Sequence, residues 1–299
     1  MKHKSLPRFS VVIPAYNEAP YIAETLLSLK RQNFAGRFEI IVVDNNSSDA
    51  TAEIARSLGA NVVEEKNPGV CNARQRGTEV AQGEIVISTD ADTQFRVDWL
   101  SRIDGTFSIH KDAVAVVGSC HYSDGPIWGL IYPYLLFGLI STIYRVTGRT
   151  YYATATNIAF KKSAWHGYNT TLTQGGDELD LLRNLRKQGR VVFANGNPTL
   201  TSARRLARGF IYNFFVSFLI YYVLEYNLNR IFKRRILGSA PHFRNDFSPK
   251  ILSLFNAAII GFLLTLVITQ HNARHYVVHE TTRVIKDTSR AIDKDKKKP

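Results

Sequence analysis

The sequence predicts an α/β protein built on a mostly parallel sheet, followed by an apolar helical region that associates with a membrane. Three observations carry that reading. Short aliphatic runs alternate with helical stretches of about ten residues over the first 120 positions, the pattern of successive βαβ units. The turns after these runs hold carboxylates and a proline in place of a glycine-rich loop. Beyond residue 120 the chain changes to long apolar runs flanked by Lys and Arg.

The elements come in order along the chain. Phe9–Ile13 reads as a strand stopped by Pro14, and residues 20–31 place Ile22, Leu26 and Leu29 on one side of a helix. Phe38–Val43 is a second buried strand. Ser48 or Asp49 caps a helix that ends near Gly59. Asn61–Val63 is a short strand, 70–82 a helix, 84–88 a strand, Val97–Ile109 a helix and Ala113–Val117 a strand. Ligands of such sheets sit beyond the carboxyl ends of the strands. That rule puts Pro14–Glu18, Asp44–Asp49 and Asp90–Asp92 on one rim. The turn after the first strand is Pro14-Ala15-Tyr16-Asn17-Glu18, so the Gly-x-Gly-x-x-Gly of a dinucleotide site is absent.

The second half is organised differently. Residues 126–144 are aromatic and apolar, interrupted by Pro133 and several glycines. Residues 210–224 are apolar between Arg204, Arg205 and Arg208 on one side and Arg230, Lys233, Arg234 and Arg235 on the other, which fits a helix lying in a membrane interface. Residues 251–269 have the length of a membrane span, a buried core helix being the alternative. The expected division is a globular domain over 1–203, a membrane-associating helical region over 204–270 and a polar, basic, disordered tail over 271–299.

Composition narrows the function. The net charge is +13, yet residues 1–120 hold 13 Lys/Arg against 15 Asp/Glu, so the excess lies wholly in the apolar second half. Basic plus apolar fits an anionic membrane surface, and no zinc finger, RNP-like aromatic pair or basic zipper supports nucleic acid. Cys71 and Cys120 give no disulfide framework, and the eight histidines no metal spacing. Met1–Arg8 has no apolar stretch long enough for a signal peptide. Asp90-Ala91-Asp92 closes the strand at 84–88. Two carboxylates there call for a partner, and a hard divalent cation holding a diphosphate is a natural one.

Four segments, in order, resemble the family 2 inverting glycosyltransferases, which share the GT-A nucleotide-diphospho-sugar fold with its Rossmann-like sheet. They are Val11–Glu18, Glu39–Thr51, Asn67–Asp92 and Gly175–Asp180 with Gly189-Arg190, spanning roughly residues 8–205. The resemblance implies a nucleoside-diphosphate sugar donor of UDP or GDP type and Mn²⁺ or Mg²⁺. It implies metal ligation by Asp92 with Asp90, and a donor site lined by Pro14, Ala15, Tyr16, Glu18, Asp44, Asn46, Arg74, Asp90 and Ala91. Gln75 stands where the family usually has Asn.

Under this resemblance Asp44 accepts the edge of the base, or else merely caps its turn. Arg74 pairs with a phosphate or with a nearby carboxylate. Arg204 and Arg205 clamp the diphosphate or anchor to lipid headgroups. Asn157 lies near the acceptor side or holds a turn. The acids Asp177, Glu178 and Asp180 supply the catalytic base that inversion requires. Helical spacing sets Asp177 and Asp180 on one face, with Glu178 about 100° away. Residue type makes Asp177 the expected base, and counting back from Gly189 makes Glu178 its close rival.

The expected activity is metal-dependent transfer to a hydroxyl of a glycolipid or polysaccharide, at the cytoplasmic face of a membrane, by a peripheral or single-span enzyme. One alternative is a polyprenyl-phosphate glycosyltransferase. Another, of a different class, is a non-catalytic membrane-surface or nucleic-acid binding protein on the same fold.

Overall fold

The computed structural model describes residues 6–170 and 177–209, with Tyr212 and Leu228. Strands β1 (Phe9–Ala15), β2 (Phe38–Asp44), β3 (Asn61–Glu64) and β4 (Ile85–Ser88) pair in parallel in the order β3-β2-β1-β4. The order continues through β7 (Ile158–Lys161), β6 (Ala113–Tyr122), β8 (Arg190–Thr201) and β5 (Thr93–Gln94). Strand β7 runs against both neighbours, β6 and β8 are parallel, and β5 is antiparallel to β8.

Helices cover both faces. On one face α1 (Ile22–Lys30), α2 (Thr51–Ser57) and α4 (Trp99–Ile109) bury Leu26, Ala55 and Trp99 against Phe9, Val11, Ile13 and Val42. On the other face α3 (Val70–Val80), α5 (Ile127–Thr147) and α6 (Asp177–Gln188) bury Ala73, Phe137 and Leu185 with Val12, Ile41 and Val43. Alternate residues of one strand serve opposite faces, which is why β1 and β2 read as unbroken apolar runs.

The parallel half lies where the periodicity puts it. The N-cap of α2 is Ala50 and not Ser48 or Asp49, while Asp49 lies one residue earlier, its Oδ1 accepting the Thr51 N–H at 3.0 Å and its Oδ2 that of Ala19 at 3.1 Å. Strand β6 continues past the predicted end at Val117 to Tyr122, and β5, β7 and β8 are strands that the periodicity does not assign. The apolar run at 126–144 is one helix of 21 residues, with Pro133 buried inside it. Apart from Tyr212, the segments 210–224, 251–269 and 271–299 lie outside the described residues.

Candidate functional site

Three adjacent parallel strands end on one rim, with Ala15 of β1 in register with Asp44 of β2, and β4 leading into Asp90. Two non-glycine residues on this rim are left-handed, Asn17 at φ 52° and Asn46 at φ 65°. Asparagine adopts that conformation most readily, because its short amide bonds nearby backbone. The Asn17 N–H donates to Ser47 Oγ at 2.9 Å, and Asn17 Oδ1 accepts the Ser48 N–H at 2.7 Å. The Asn46 amide donates to the Lys66 carbonyl at 3.0 Å. These bonds fix the turns on either side of Asp44, whose Oδ1 accepts the Ser47 N–H at 3.3 Å. Tyr16 is exposed above them.

Helix α3 approaches the sheet closely because Gly77 has no side chain. A Cβ there would lie 2.4 Å from Val12 and 2.8 Å from Val43. One turn earlier, Arg74 is buried over the strand ends. Its Nη2 donates to Asp90 Oδ1 at 2.7 Å, and its Nη1 donates to Asp177 Oδ2. One guanidinium thus joins the acid after β4 to the first acid of α6. Burial alone pushes the Asp177 carboxyl up. The Arg74 charge, hydrogen bonds from Arg74 and contact with Glu178 more than reverse this, and Asp177 lies below the ordinary carboxylate value. Burial likewise disfavours the Arg74 charge, but Asp177 and Asp90 outweigh it and hold the guanidinium firmly protonated.

This pair yields a stability prediction. Arg74→Met leaves a buried, unpaired carboxylate at 177 and is expected to destabilise the protein by about 3–5 kcal/mol in urea unfolding at pH 7. Adding Asp177→Leu should restore much of the loss, and a loss under about 1 kcal/mol for Arg74→Met would show that the pair holds nothing together. The pH dependence has a fixed sign. Because Asp177 is depressed in the folded state, its contribution is complete above the unfolded value of about 3.9 and declines as pH falls through the folded value. Wild-type stability should therefore fall below about pH 4 more steeply than that of Arg74→Met/Asp177→Leu.

On the other side of Asp90 lies a second cluster. The pairing of β5 with β8 sets Thr93 opposite Thr201 and brings the end of β8 beside the Asp90–Asp92 turn. Thr201 Oγ1 donates to Asp92 Oδ1 at 3.2 Å, and the Ser202 N–H to the Asp92 carbonyl at 3.3 Å. Arg204 reaches Asp92 Oδ2 at 2.9 Å and grips both oxygens of Glu18 at 2.8 Å each. Its guanidinium lies 4.7 Å from the centre of the Tyr21 ring. Ala91 is buried, and its carbonyl accepts from Thr25 Oγ1 at 2.8 Å. Despite Arg204, burial pushes the Asp92 carboxyl above its ordinary value, with Asp90 and Glu18 adding to the shift.

Direct ion pairs thus form two sets, Arg74 with Asp90 and Asp177, and Arg204 with Glu18 and Asp92, which meet at the Asp90–Asp92 turn. Glu178 is buried next to Asp177. Asp180 is half-buried and pairs with Arg183 at 3.2 Å. Arg205 is exposed. Asn157 sits in the core, with Oδ1 accepting the Trp99 indole N–H at 3.2 Å and Nδ2 donating to the carbonyls of Ser119 and Asn197 at 2.9 and 2.8 Å. Its amide ties β6, β8 and α4 together. Sequence reasoning places Asn17 in the Pro14–Glu18 turn without a role of its own, and misses Tyr21 and the bond of Thr201 to Asp92. The Asn17 position after a strand and proline is a recognisable turn signal, while Tyr21 and Thr201 carry none.

A sequence model of the family described as Glycosyl transferase family 2 matches residues 10–166. The glycosyltransferase AglE of Haloferax volcanii is 36% identical over 121 residues, covering 38% of this chain and 39% of that protein. The poly(ribitol-phosphate) beta-N-acetylglucosaminyltransferase TarS of Staphylococcus aureus is 33% identical over 124 residues, 39% of this chain and 20% of that one. The chain therefore spans less than half the length of these curated relatives. Among solved structures, S. aureus TarS 1-349 in complex with UDP superposes with TM-score 0.55 at 18% identity, over 67% of this chain and 63% of that one. The mannosyltransferase PcManGT from Pyrobaculum calidifontis, in complex with GDP-Man and Mn2+, gives TM-score 0.54 at 24% identity, over 67% and 58%. The likeness to the solved structures is one of fold, the GT-A architecture.

Proposed function

This chain belongs to glycosyl transferase family 2, and from that premise we propose that it is an inverting glycosyltransferase taking a sugar from a nucleoside-diphosphate donor. The acceptor is a hydroxyl of a glycolipid or polysaccharide at the cytoplasmic face of a membrane. The observation that carries this reading is the linkage of the Asp90–Asp92 turn to the acids of α6 through the buried Arg74. It supports a leaving diphosphate at the Asp90–Asp92 turn beside a proton acceptor on α6.

Mn²⁺ or Mg²⁺ suits the first of these. Asp90 and Asp92 are hard oxygen donors. Burial pushes the Asp92 carboxyl up even with Arg204 beside it, a deficit that a further cation compensates. Among the described residues no three His, Cys, Asp or Glu side chains are arranged to hold a metal ion by themselves, so an ion on Asp90 and Asp92 would complete its shell with diphosphate and water. When bound, it supplies Lewis-acid stabilisation of the departing nucleoside diphosphate. That PcManGT is solved with GDP-Man and Mn2+, and TarS with UDP, supports this assignment.

The remaining roles fall to the chain's own residues. Asp44 accepts the edge of the base and Tyr16 borders it. Arg204, with Arg205 beside it, faces the diphosphate. Glu178 takes the proton of the acceptor hydroxyl. Asp177 is a poor base because Arg74 already holds its charge, and Brønsted behaviour favours a base whose pKa lies near the working pH. A second reading, transfer to a polyprenyl phosphate, is favoured by the exposed apolar residues of α5.

A panel of UDP- and GDP-sugars tested on the full chain by thermal shift, with Mn²⁺ and with EDTA, checks the reading. One donor should raise the unfolding midpoint by several degrees in Mn²⁺ only, since a ligand at 100 times its Kd adds about 2.7 kcal/mol. That donor should then yield free nucleoside diphosphate. No shift with any donor defeats the proposal. Tight binding of one donor without turnover toward any acceptor points to a non-catalytic binding protein.

A further inference from the structure

Helix α5 is long and apolar enough to cross a membrane, but only 22% of its most apolar window is buried. Two stripes divide it. Gly129, Pro133, Phe137 and Ile140 recur at helical spacing and pack against the domain. Phe137 lies 6.4 Å from Phe193 and 6.1 Å from Tyr152, ring centre to ring centre. Near the helix start, a Cβ on Gly129 would come within 2.4 Å of Leu206. The helix is thus held lengthwise along β6 and β8, so it lies along the domain and does not run out of it.

The opposite stripe is apolar and bare. Ile127, Ile131, Leu135 and Leu139 succeed one another at four-residue steps and are 77, 51, 70 and 59% exposed. Tyr134 and Val146 extend the same surface. Thr142 lies within it, and its hydroxyl turns back onto the Gly138 carbonyl at 3.0 Å, which removes a polar group from the face. A stripe about 30 Å long with no charge before the last turn is unusual for a surface facing water.

Charge identifies the occupant. No acidic residue lies on α5, and Arg145 stands in its last turn with Arg149 just beyond. Arg186 sits 4.8 Å over the exposed ring of Tyr151, and Arg190 reaches Asp112 at 3.6 Å. Apolar residues with tyrosines, and with guanidinium groups at one edge but no acids on the helix, suit a helix lying in the interface of an anionic bilayer. A protein partner would have to answer the same guanidinium groups with acids.

We propose that the outward stripe of α5 is the surface by which this protein lies in the interface of an anionic membrane, with Arg145 and Arg149 at the headgroups. The proposal rests on the reading that the enzyme works at a membrane, and adds which surface meets it and from where the acceptor enters. The start of α5 adjoins the donor cluster, because Asp124 Oδ1 accepts the Ala203 N–H at 2.6 Å, one residue before Arg204. A docked α5 therefore holds the mouth of the site at headgroup depth, within reach of an acceptor carried on a lipid.

The test uses the full chain with Cys71 and Cys120 replaced by serine. Single variants Leu135→Cys, Leu139→Cys and, on the far side of the sheet, Glu53→Cys are labelled with an environment-sensitive fluorophore. Each is reconstituted with phosphatidylcholine–phosphatidylglycerol vesicles with and without a doxyl-labelled lipid. Insertion by about 5–10 Å predicts quenching at 135 and 139 at least about twofold greater than at 53. Vesicle-bound protein with equal quenching at all three sites overturns the role of α5 and leaves the membrane reading intact. Failure to co-float with vesicles overturns both. Labels at 135 and 139 already shielded without lipid, and unchanged by it, show the stripe covered by protein and overturn the proposal.

Discussion

Asp92→Asn is expected to lower sugar transfer by about 10³-fold, a barrier increase of roughly 4 kcal/mol. The asparagine keeps an oxygen near Thr201 Oγ1, which donates to Asp92 at 3.2 Å, but it has no charge for a divalent cation. Leaving-group stabilisation by a bound ion is worth several kcal/mol, and that is the quantity removed. The fold should survive. Arg204 retains both hydrogen bonds to Glu18, and Asp92 is a carboxylate that burial already disfavours, so stability should stay within about 1 kcal/mol of wild type. Initial rates at saturating donor measure the first effect, and a Mn²⁺ titration followed by thermal shift measures metal binding apart from turnover. A variant that turns over normally, or whose midpoint rises with Mn²⁺ as the wild type does, is incompatible with Asp92 as a metal ligand.

The rim that holds Asp92 is legible in the sequence because its logic is local. Strands β1, β2 and β4 announce themselves as apolar runs, and the residue types at their carboxyl ends fall on one edge once the strands are parallel. The Arg204 cluster is not legible. Arg204 and Glu18 are 186 positions apart, and they meet only because β8 pairs with the two-residue strand β5. Neither that pairing nor its register leaves a periodic signal. Sequence alone leaves Arg204 between a diphosphate clamp and a headgroup anchor, and does not reveal that its guanidinium lies against Asp92 and Glu18. Helix α5 is obscured for a different reason. With apolar residues on both its packed and its outer stripe, the 3.6-residue contrast that marks an amphipathic helix disappears, and Pro133 with its glycines mimics a break. Sequence alone offers Arg74 either a phosphate or a carboxylate, and the structure pairs it with two carboxylates.

That pairing decides what to expect of the neighbouring acids. Glu178→Gln should reduce transfer to a hydroxyl acceptor by about 10²–10⁴-fold while leaving donor binding and the Mn²⁺ response unchanged, since a general base contributes that much and does not touch the diphosphate. Asp177→Asn should behave differently. It removes one of the two carboxylates that Arg74 holds, so its first consequence is a buried guanidinium balanced by Asp90 alone and a loss of stability, with activity falling through misplacement of Asp90 and the start of α6. The two variants separate on the pH profile. With a base at 178, the residual rate of Glu178→Gln should lose the acidic limb of kcat/KM, whereas Asp177→Asn should keep it. The same limb lost in Asp177→Asn alone would move the base to 177. Full transfer in both variants would show that the acceptor needs no deprotonation, which is the behaviour of a phosphate acceptor. In that event the lipid that the α5 face meets would be the substrate itself.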